Sequence, residues 1–223
     1  MNSIHVLTFE KSVIYYASMQ FIQIKNIGDI ASIISGLSLR ESPEMDEKGD
    51  FSLLRVSDIS RNWVFRSQDP IQRIRVHSKR EPEFLKPGDL VFFGRGTRPF
   101  AVFLESIPEK TVPSPYLWVL RMRSNQVRGE YLAWFLTHSQ AAKRYYSQTN
   151  QGSALTNIPK PALASLPVWI PPLEQQALWP RLQSALMKEK DLMGRLASRR
   201  QVLMDTLFDR TANSSNREAE TDE

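Results

Sequence analysis

The side chains best placed to do chemistry lie in two glycine-bearing stretches, and the chemistry they suit is the binding of an anion. Gly94-Arg95-Gly96-Thr97-Arg98 sets two guanidiniums and a hydroxyl on one short turn. A guanidinium holds its N–H donors in a planar fork that fits phosphate oxygens or the major-groove edge of guanine. The second stretch, Gln151-Gly152-Ser153 running on to Thr156-Asn157, follows the cations Lys143 and Arg144 and offers amides and hydroxyls. Those groups suit contact with an outside partner and capping of the loop's own backbone equally well, so both readings stay open. The candidate contact residues are Arg95, Thr97, Arg98, Lys143, Arg144, Gln151, Ser153 and Asn157. For the first turn, an ordinary solvated tip is the plain alternative.

Catalytic patterns do not emerge. Without cysteine there are no disulfides, no thiolate nucleophile and no cysteine-ligated metal. His5, His77 and His138 stand apart in sequence, in no triad or metal spacing. Asp46-Glu47-Lys48, with Asp29 upstream, is a weak Asp-x-Lys match in a hydrophilic loop, where nuclease ligands would not be held. There is no phosphate-binding Gly-Lys-Thr or Gly-Lys-Ser, and the one Pro-Pro pair follows Ile170 rather than the Asn or Asp of an adenine methyltransferase motif. The expectation is a binding chain with no catalytic residue, metal or cofactor of its own.

Charge points the same way. The 223 residues carry a net charge of +5 and a pI near 9.5. Between Phe51 and Phe100, ten basic side chains stand against five acidic ones, and eight of the ten are arginine. From Thr211 onward Arg217 stands against Glu218, Glu220, Asp222 and Glu223. The surplus therefore sits in the body of the chain, as an anionic partner requires. No apolar run approaches the roughly 20 residues of a membrane span. The start lacks the layout of a signal peptide, and a cytoplasmic location is expected.

The contact residues need elements to hold them. Ile4 to Leu7 and Ser12 to Tyr16 read as strands in an N-terminal extension of residues 1–18, with Met19 as an alternative start. From Phe21 apolar and polar residues alternate, with a turn at Gly28-Asp29 and an end at Gly36. Phe51 to Val56 is a strand entering Ser57-Asp58-Ile59, and Trp63-Val64-Phe65 a short continuation. Pro87-Gly88 preset a turn in which Asp89 bonds back to the amides. Leu90 to Phe93 then enters the GRGTR turn and Ala101 to Leu104 returns, which makes that turn a hairpin tip. Tyr116 to Met122 reads as a strand and Gly129 to Leu136 as a helix, and Ser139 caps a second helix through Tyr146. Lys160 to Leu163 is a helical turn, and Pro167 to Ile170 a strand that Pro171-Pro172 stops before Leu173-Glu174-Gln175-Gln176 restarts as helix.

Beyond Gln176, Leu178, Leu182, Ala185, Leu192, Leu196, Leu203 and Leu207 recur at spacings of three, four and seven. That is an amphipathic helix through about Phe208 in need of a partner surface, with Glu189 and Arg199 interrupting its seam. Pro180 is expected to kink it or to shift its start past Trp179. The polar, acidic residues 211–223 are expected to be disordered.

The order of Gly-Ser loop, strand, double proline and Glu-Gln helix start resembles the end of a target-recognition domain in the specificity subunits of type I restriction-modification enzymes. There the pattern is a Gly-Ser loop, then "lpip-P-P-x-x-E-Q", then a long conserved helix. Phe21 to Gly36 is similar to that family's opening "L-G-D-i-a-x-i-x-x-G", Arg55 to Ile59 to its "r-x-x-D-i", and Leu85 to Val91 to its "l-x-x-G-D-i-l". The resemblance covers about residues 21 to 208. It implies an α+β fold: a target-recognition domain of mixed or antiparallel sheet and short helices over residues 19–172, then a coiled-coil-like helix over 173–210.

By the same resemblance, the chain would be a non-catalytic, sequence-specific DNA-binding subunit. It would direct a partner adenine methyltransferase subunit, and with it a restriction subunit, to double-stranded DNA. Family members usually have two domains and two helices where this chain has one of each, so a half-size form is expected, and which enzyme it serves stays open. Such a chain would pair through Leu182, Ala185, Leu192, Leu196 and Leu203, with a copy of itself or with a different half-subunit. A stand-alone DNA-binding regulator or defence adaptor without a methyltransferase is the alternative. The bases recognised are not readable, because a few side chains placed by the fold decide them.

Overall fold

The computed structural model describes residues 23–37, 44–45, 48–59, 64–66, 71–75, 82–149 and 156–221. The strands expected in residues 4–16, Asp46 and Glu47 of the Asp-x-Lys match, and the residues Gln151 to Ser153 lie outside these. Residues up to Pro180 form one compact unit and Arg181–Glu223 a second.

In chain order the first unit contains β1 (Gln23–Asn26), the single helical turn α1 (Ile27–Ile30), β2 (Ala31–Ser35), β3 (Glu44–Met45) and β4 (Phe51–Leu54). A 3-10 turn at Val56–Asp58 leads to β5 (Val64–Arg66) and β6 (Arg73–Arg75). Then come β7 (Leu90–Phe93), β8 (Arg95–Gly96), β9 (Phe100–Ser106), β10 (Thr111–Pro113) and β11 (Trp118–Met122). The helices α2 (Gly129–His138) and α3 (Gln140–Thr149) precede β12 (Thr156–Asn157), α4 (Lys160–Ala164), β13 (Pro167–Ile170) and α5 (Leu173–Gln176). The long helix α6 (Leu178–Thr221) follows.

A five-stranded sheet in the order β2-β11-β7-β9-β5 is antiparallel except where β5 joins β9. A four-stranded sheet, β10-β4-β6-β3, is antiparallel except between β10 and β4. Mixed sheets with short helices, followed by one long helix, are the α+β class expected. Val91, Val102, Leu104 and Val119 of the larger sheet pack with Leu54 in one buried cluster, and Leu53, Ile74 and Val112 form a second. The helix α2 lies on β9 and buries Leu132, Ala133 and Leu136. The antiparallel pair β1–β13 sets Ile24 opposite Trp169 and joins the first described strand to the one stopped by the double proline.

One local device recurs at three changes of direction. The Asn26 N–H donates to Asp29 Oδ2 at 3.2 Å, the Arg55 N–H to Asp58 Oδ2 at 2.9 Å, and the Lys86 N–H to Asp89 Oδ2 at 2.9 Å. In each case a carboxylate caps the amide three residues behind it, which closes the turn and starts the next element. Ser139 also behaves as expected, with its Oγ accepting from the Ala142 N–H at 3.1 Å at the start of α3.

One expectation about the long helix needs correcting. Pro180 does not push the start past Trp179, since α6 begins at Leu178 and takes the proline in its first turn, where no N–H is required. The irregularity falls upstream at Ala177, between α5 and α6, because Pro180 has no N–H to offer the Gln176 carbonyl one turn back. The helix runs on to Thr221. No proline or glycine stands between Arg195 and Thr221 to end it.

The close approach at Gly36 gives a stability test. Its N–H donates to the Leu117 carbonyl at 3.0 Å, and a Cβ built there would lie 1.9 Å from the Ser114 carbonyl oxygen. Gly36→Ala should cost about 3 kcal/mol in urea unfolding. At Gly194, where an added Cβ meets nothing, alanine should instead raise helix stability by about 1 kcal/mol.

Candidate nucleic-acid interface

The hairpin tip is built by β7 and β9, which run antiparallel with Phe93 opposite Phe100. Between them the chain makes a second pairing. Thr156 lies opposite Gly96 and Asn157 opposite Arg95, and the Ile158 N–H donates to the Gly94 carbonyl at 2.9 Å. The GRGTR turn and the distal arm of the Gly-Ser loop thus form one two-stranded ribbon, though some sixty positions separate them in sequence. Gly96 has φ +87°, in the left-handed region where a side chain is strained, and this lets the tip turn back toward Phe100.

Arg95, Thr97, Arg98 and Asn157 are all exposed on or beside this ribbon. The Arg95 guanidinium lies over the Tyr116 ring, 5.1 Å from its centroid, and Tyr116 is 56% exposed. Stacking engages one face of the guanidinium while its N–H edge stays able to donate in plane. Sequence reasoning missed Tyr116, which it took for a strand residue; the strand begins at Trp118 and the tyrosine sits in the turn before it. Its flanking Ser114-Pro115 was the available signal, since that pair favours a turn.

Lys143 and Arg144 are exposed on α3, outside the ribbon's pairing. The helix is held from its other side, with Tyr145 Oη donating to the Ala162 carbonyl and Tyr146 Oη to the Leu136 carbonyl, each at 2.9 Å. Burial, and then the charge of Lys143, hold the His138 imidazole below its ordinary pKa, so it stays neutral more readily than a free histidine. Gln151 and Ser153 lie outside the described residues. Leu182, Ala185, Leu192, Leu196 and Leu203 are exposed on α6.

Not every arginine of the basic body is available to a ligand. Arg121 forks onto Asp89, with Nε to Oδ1 at 2.9 Å and Nη2 to Oδ2 at 2.8 Å, while Nη2 also donates to the Phe84 carbonyl at 3.0 Å and Nη1 to Glu83. The bond to Asp89 foremost, and Glu83 with it, raise the guanidinium's pKa above its ordinary value against the opposing effect of burial. Arg55 likewise reaches Asp58 through Nη2 at 3.2 Å. Among the described residues no group of three or more His, Asp or Glu gathers to hold a metal, and no helix is long and apolar enough to cross a membrane.

A mixed-sheet domain with a glycine-jointed basic ribbon, followed by a long helix with an open apolar stripe, is the architecture these residues define. The family model for the type I restriction modification DNA specificity domain matches residues 20–196, and the chain belongs to that family. Among solved structures, the HsdS subunit from Thermoanaerobacter tengcongensis is similar at 19% identity and a TM-score of 0.53, over 78% of this chain and 39% of that one. A structure from work on complex assembly and conformational transition of the type I R-M system is similar at 17% identity and a TM-score of 0.52, over 83% and 43%. The chain thus spans about two fifths of the length of these solved chains. No curated protein sequence matches it significantly.

The Arg121–Asp89 fork predicts a large loss. Asp89 is 2% exposed, and Arg121→Met would leave its carboxylate buried without a guanidinium, so unfolding stability should fall by about 3 kcal/mol. Adding Asp89→Asn to that variant should recover part of the loss in the same denaturation measurement.

Proposed function

We propose that this chain is the sequence-specific DNA-binding subunit of a type I modification system. It carries a partner adenine methyltransferase subunit, and with it a restriction subunit, to a chosen site in cytoplasmic double-stranded DNA. The observation that supports this most is the ribbon, which draws two stretches of DNA-compatible side chains together within a domain of this family. Arg95, braced on Tyr116, directs its N–H edge to a phosphate or a guanine, and Thr97, Arg98 and Asn157 extend that surface. Lys143 and Arg144 neutralise phosphates, and Gln151 and Ser153 continue the contact from the loop entering β12. The chemistry belongs to the partner chains, and this chain needs no cofactor.

In this reading residues 19–172 recognise DNA and residues 173–210 are the dimerisation and spacer helix. In half-size form, two copies joined through Leu182, Ala185, Leu192, Leu196 and Leu203 present identical domains in opposite directions. The target is then an interrupted palindrome.

Methylation-sensitive sequencing of a host that expresses the chain with its neighbouring methyltransferase subunit tests this directly. An interrupted palindrome is expected, an asymmetric motif would indicate a different half-subunit as partner, and the absence of any methylated motif would overturn the assignment. On purified protein, Arg95→Ala and Arg98→Ala should each weaken DNA binding roughly tenfold while leaving the melting temperature unchanged. A lost phosphate contact should shallow the salt dependence by about one unit, whereas a lost base contact should cost roughly 1–3 kcal/mol at one position of the site. Glutamate at Leu192 and Leu196 should give a folded monomer by sedimentation that no longer holds the full site.

A further inference from the structure

Glu189 and Arg199 stand on the apolar seam of α6, and the proposed function leaves them unexplained. Counted in heptads, the seam runs Leu182, Ala185, Glu189, Leu192, Leu196, Arg199, Leu203 and Thr206, in steps of three and four. Its leucines are open, with Leu182 and Leu203 at 58% exposure, Leu192 at 51% and Leu196 at 49%. Covering such a stripe with a plain leucine seam would desolvate both charges without compensation, which is unfavourable unless opposite charges meet them.

We propose that α6 pairs with α6 of a second copy, antiparallel and centred at Gly194, so that Glu189 of each copy meets Arg199 of the other. The inference rests on the dimer reading above, in which the copies run in opposite directions, and adds the register and the charge pairs that set it. In an antiparallel coiled coil each first-position residue of a heptad faces a fourth-position residue of the other helix. With the centre at Gly194, Leu192 faces Leu196, Ala185 faces Leu203 and Leu182 faces Thr206, and the two-fold axis repeats every pair. Both charged layers then pair opposite signs. Sliding one copy by a heptad sets Arg199 against Leu196, and sliding it the other way sets Glu189 against Leu192. A parallel pair would oppose Glu189 to Glu189 and Arg199 to Arg199.

At the flank the Arg195 side chains of the two copies approach across the axis. Asp191 Oδ2 lies 4.0 Å from Arg195 Nη1 on the same helix and offsets that repulsion. The seam charges therefore select a second copy of this chain over a helix that presents only leucines, because only an oppositely ordered Glu and Arg answer them.

Sedimentation equilibrium on the full chain tests the register. Glu189→Arg alone and Arg199→Glu alone each create two like-charge layers, and each should weaken the homodimer at least about tenfold. The double variant Glu189→Arg/Arg199→Glu restores opposite charges and should return to within about threefold of the natural chain. Mixing the two single variants, one carrying a mass tag, should give mixed dimers in preference to either homodimer. If the natural chain is dimeric but the single variants dimerise equally well, or neither rescue occurs, the register is overturned and the dimer stands. A natural chain that stays monomeric at high concentration overturns both.

Discussion

The carboxylate of Asp89 is the joint on which the central sheet and the hairpin tip depend. One of its oxygens accepts the Lys86 N–H and so closes the turn that launches β7, and both oxygens take the Arg121 fork from β11. Through Phe84, which Arg121 also holds by its carbonyl, the segment before the turn is tied to the same point. A fully buried carboxylate is unfavourable alone, and here both of its oxygens are met by donors. The strand that leaves this joint is β7, whose far end carries Gly94 and the tip. Where the tip stands is therefore decided at the opposite end of its own strand.

The same economy of donors and acceptors governs the chain's exit from the domain. Gln176 is fully buried, its Nε2 donating to the Gln126 and Pro171 carbonyls at 2.8 Å each, and its Oε1 accepting the Arg128 N–H at 2.7 Å. A carboxamide provides both kinds of partner at once, which neither a carboxylate nor an ammonium does. Arg128 precedes α2, so its amide is one of those a helix start leaves without an intrahelical acceptor. The Gln176 side chain thus satisfies the start of one helix and the first proline of the pair together. A glutamine after Pro171-Pro172 reads from sequence as an ordinary helix former, and its three bonds become visible only when Gln126 to Arg128 are brought beside it.

What was legible in the sequence follows from the range of the interactions involved. Turns that close on themselves were readable, because Asp89 and its amide lie three residues apart, as do Ser139 and the amide it caps. The hairpin around GRGTR was readable for the same reason, with apolar strands on both sides of a glycine-jointed turn. The ribbon of β8 and β12 was not, because two-residue strands carry no periodic pattern and their pairing spans the whole of α2 and α3. The parallel joins of β5 to β9 and β10 to β4 escaped likewise, since parallel neighbours leave no turn signal between them. At Pro180 the principle was right and its place was wrong, as the missing N–H broke the ladder at Ala177 rather than bending the helix beyond it.

A count of charges in this chain differs from an account of what those charges can do. Arg55 lies within the Arg-rich stretch that made an anionic partner attractive and Arg121 follows it, yet each is committed to a carboxylate of its own domain. Part of each donor set is spent inward on that carboxylate, and their loss would weaken the fold. Arg95 is different in kind, because what holds it is an aromatic face. A ring steadies the plane of the guanidinium without consuming its N–H donors, so the side chain is ordered in advance and still able to bond. Ordering in advance lowers the conformational entropy lost on binding, and it fixes the fork's direction, which discriminating one base edge from another requires. In the proposed DNA-binding reading, recognition therefore depends less on how many cations are present than on which of them are braced by something other than a carboxylate.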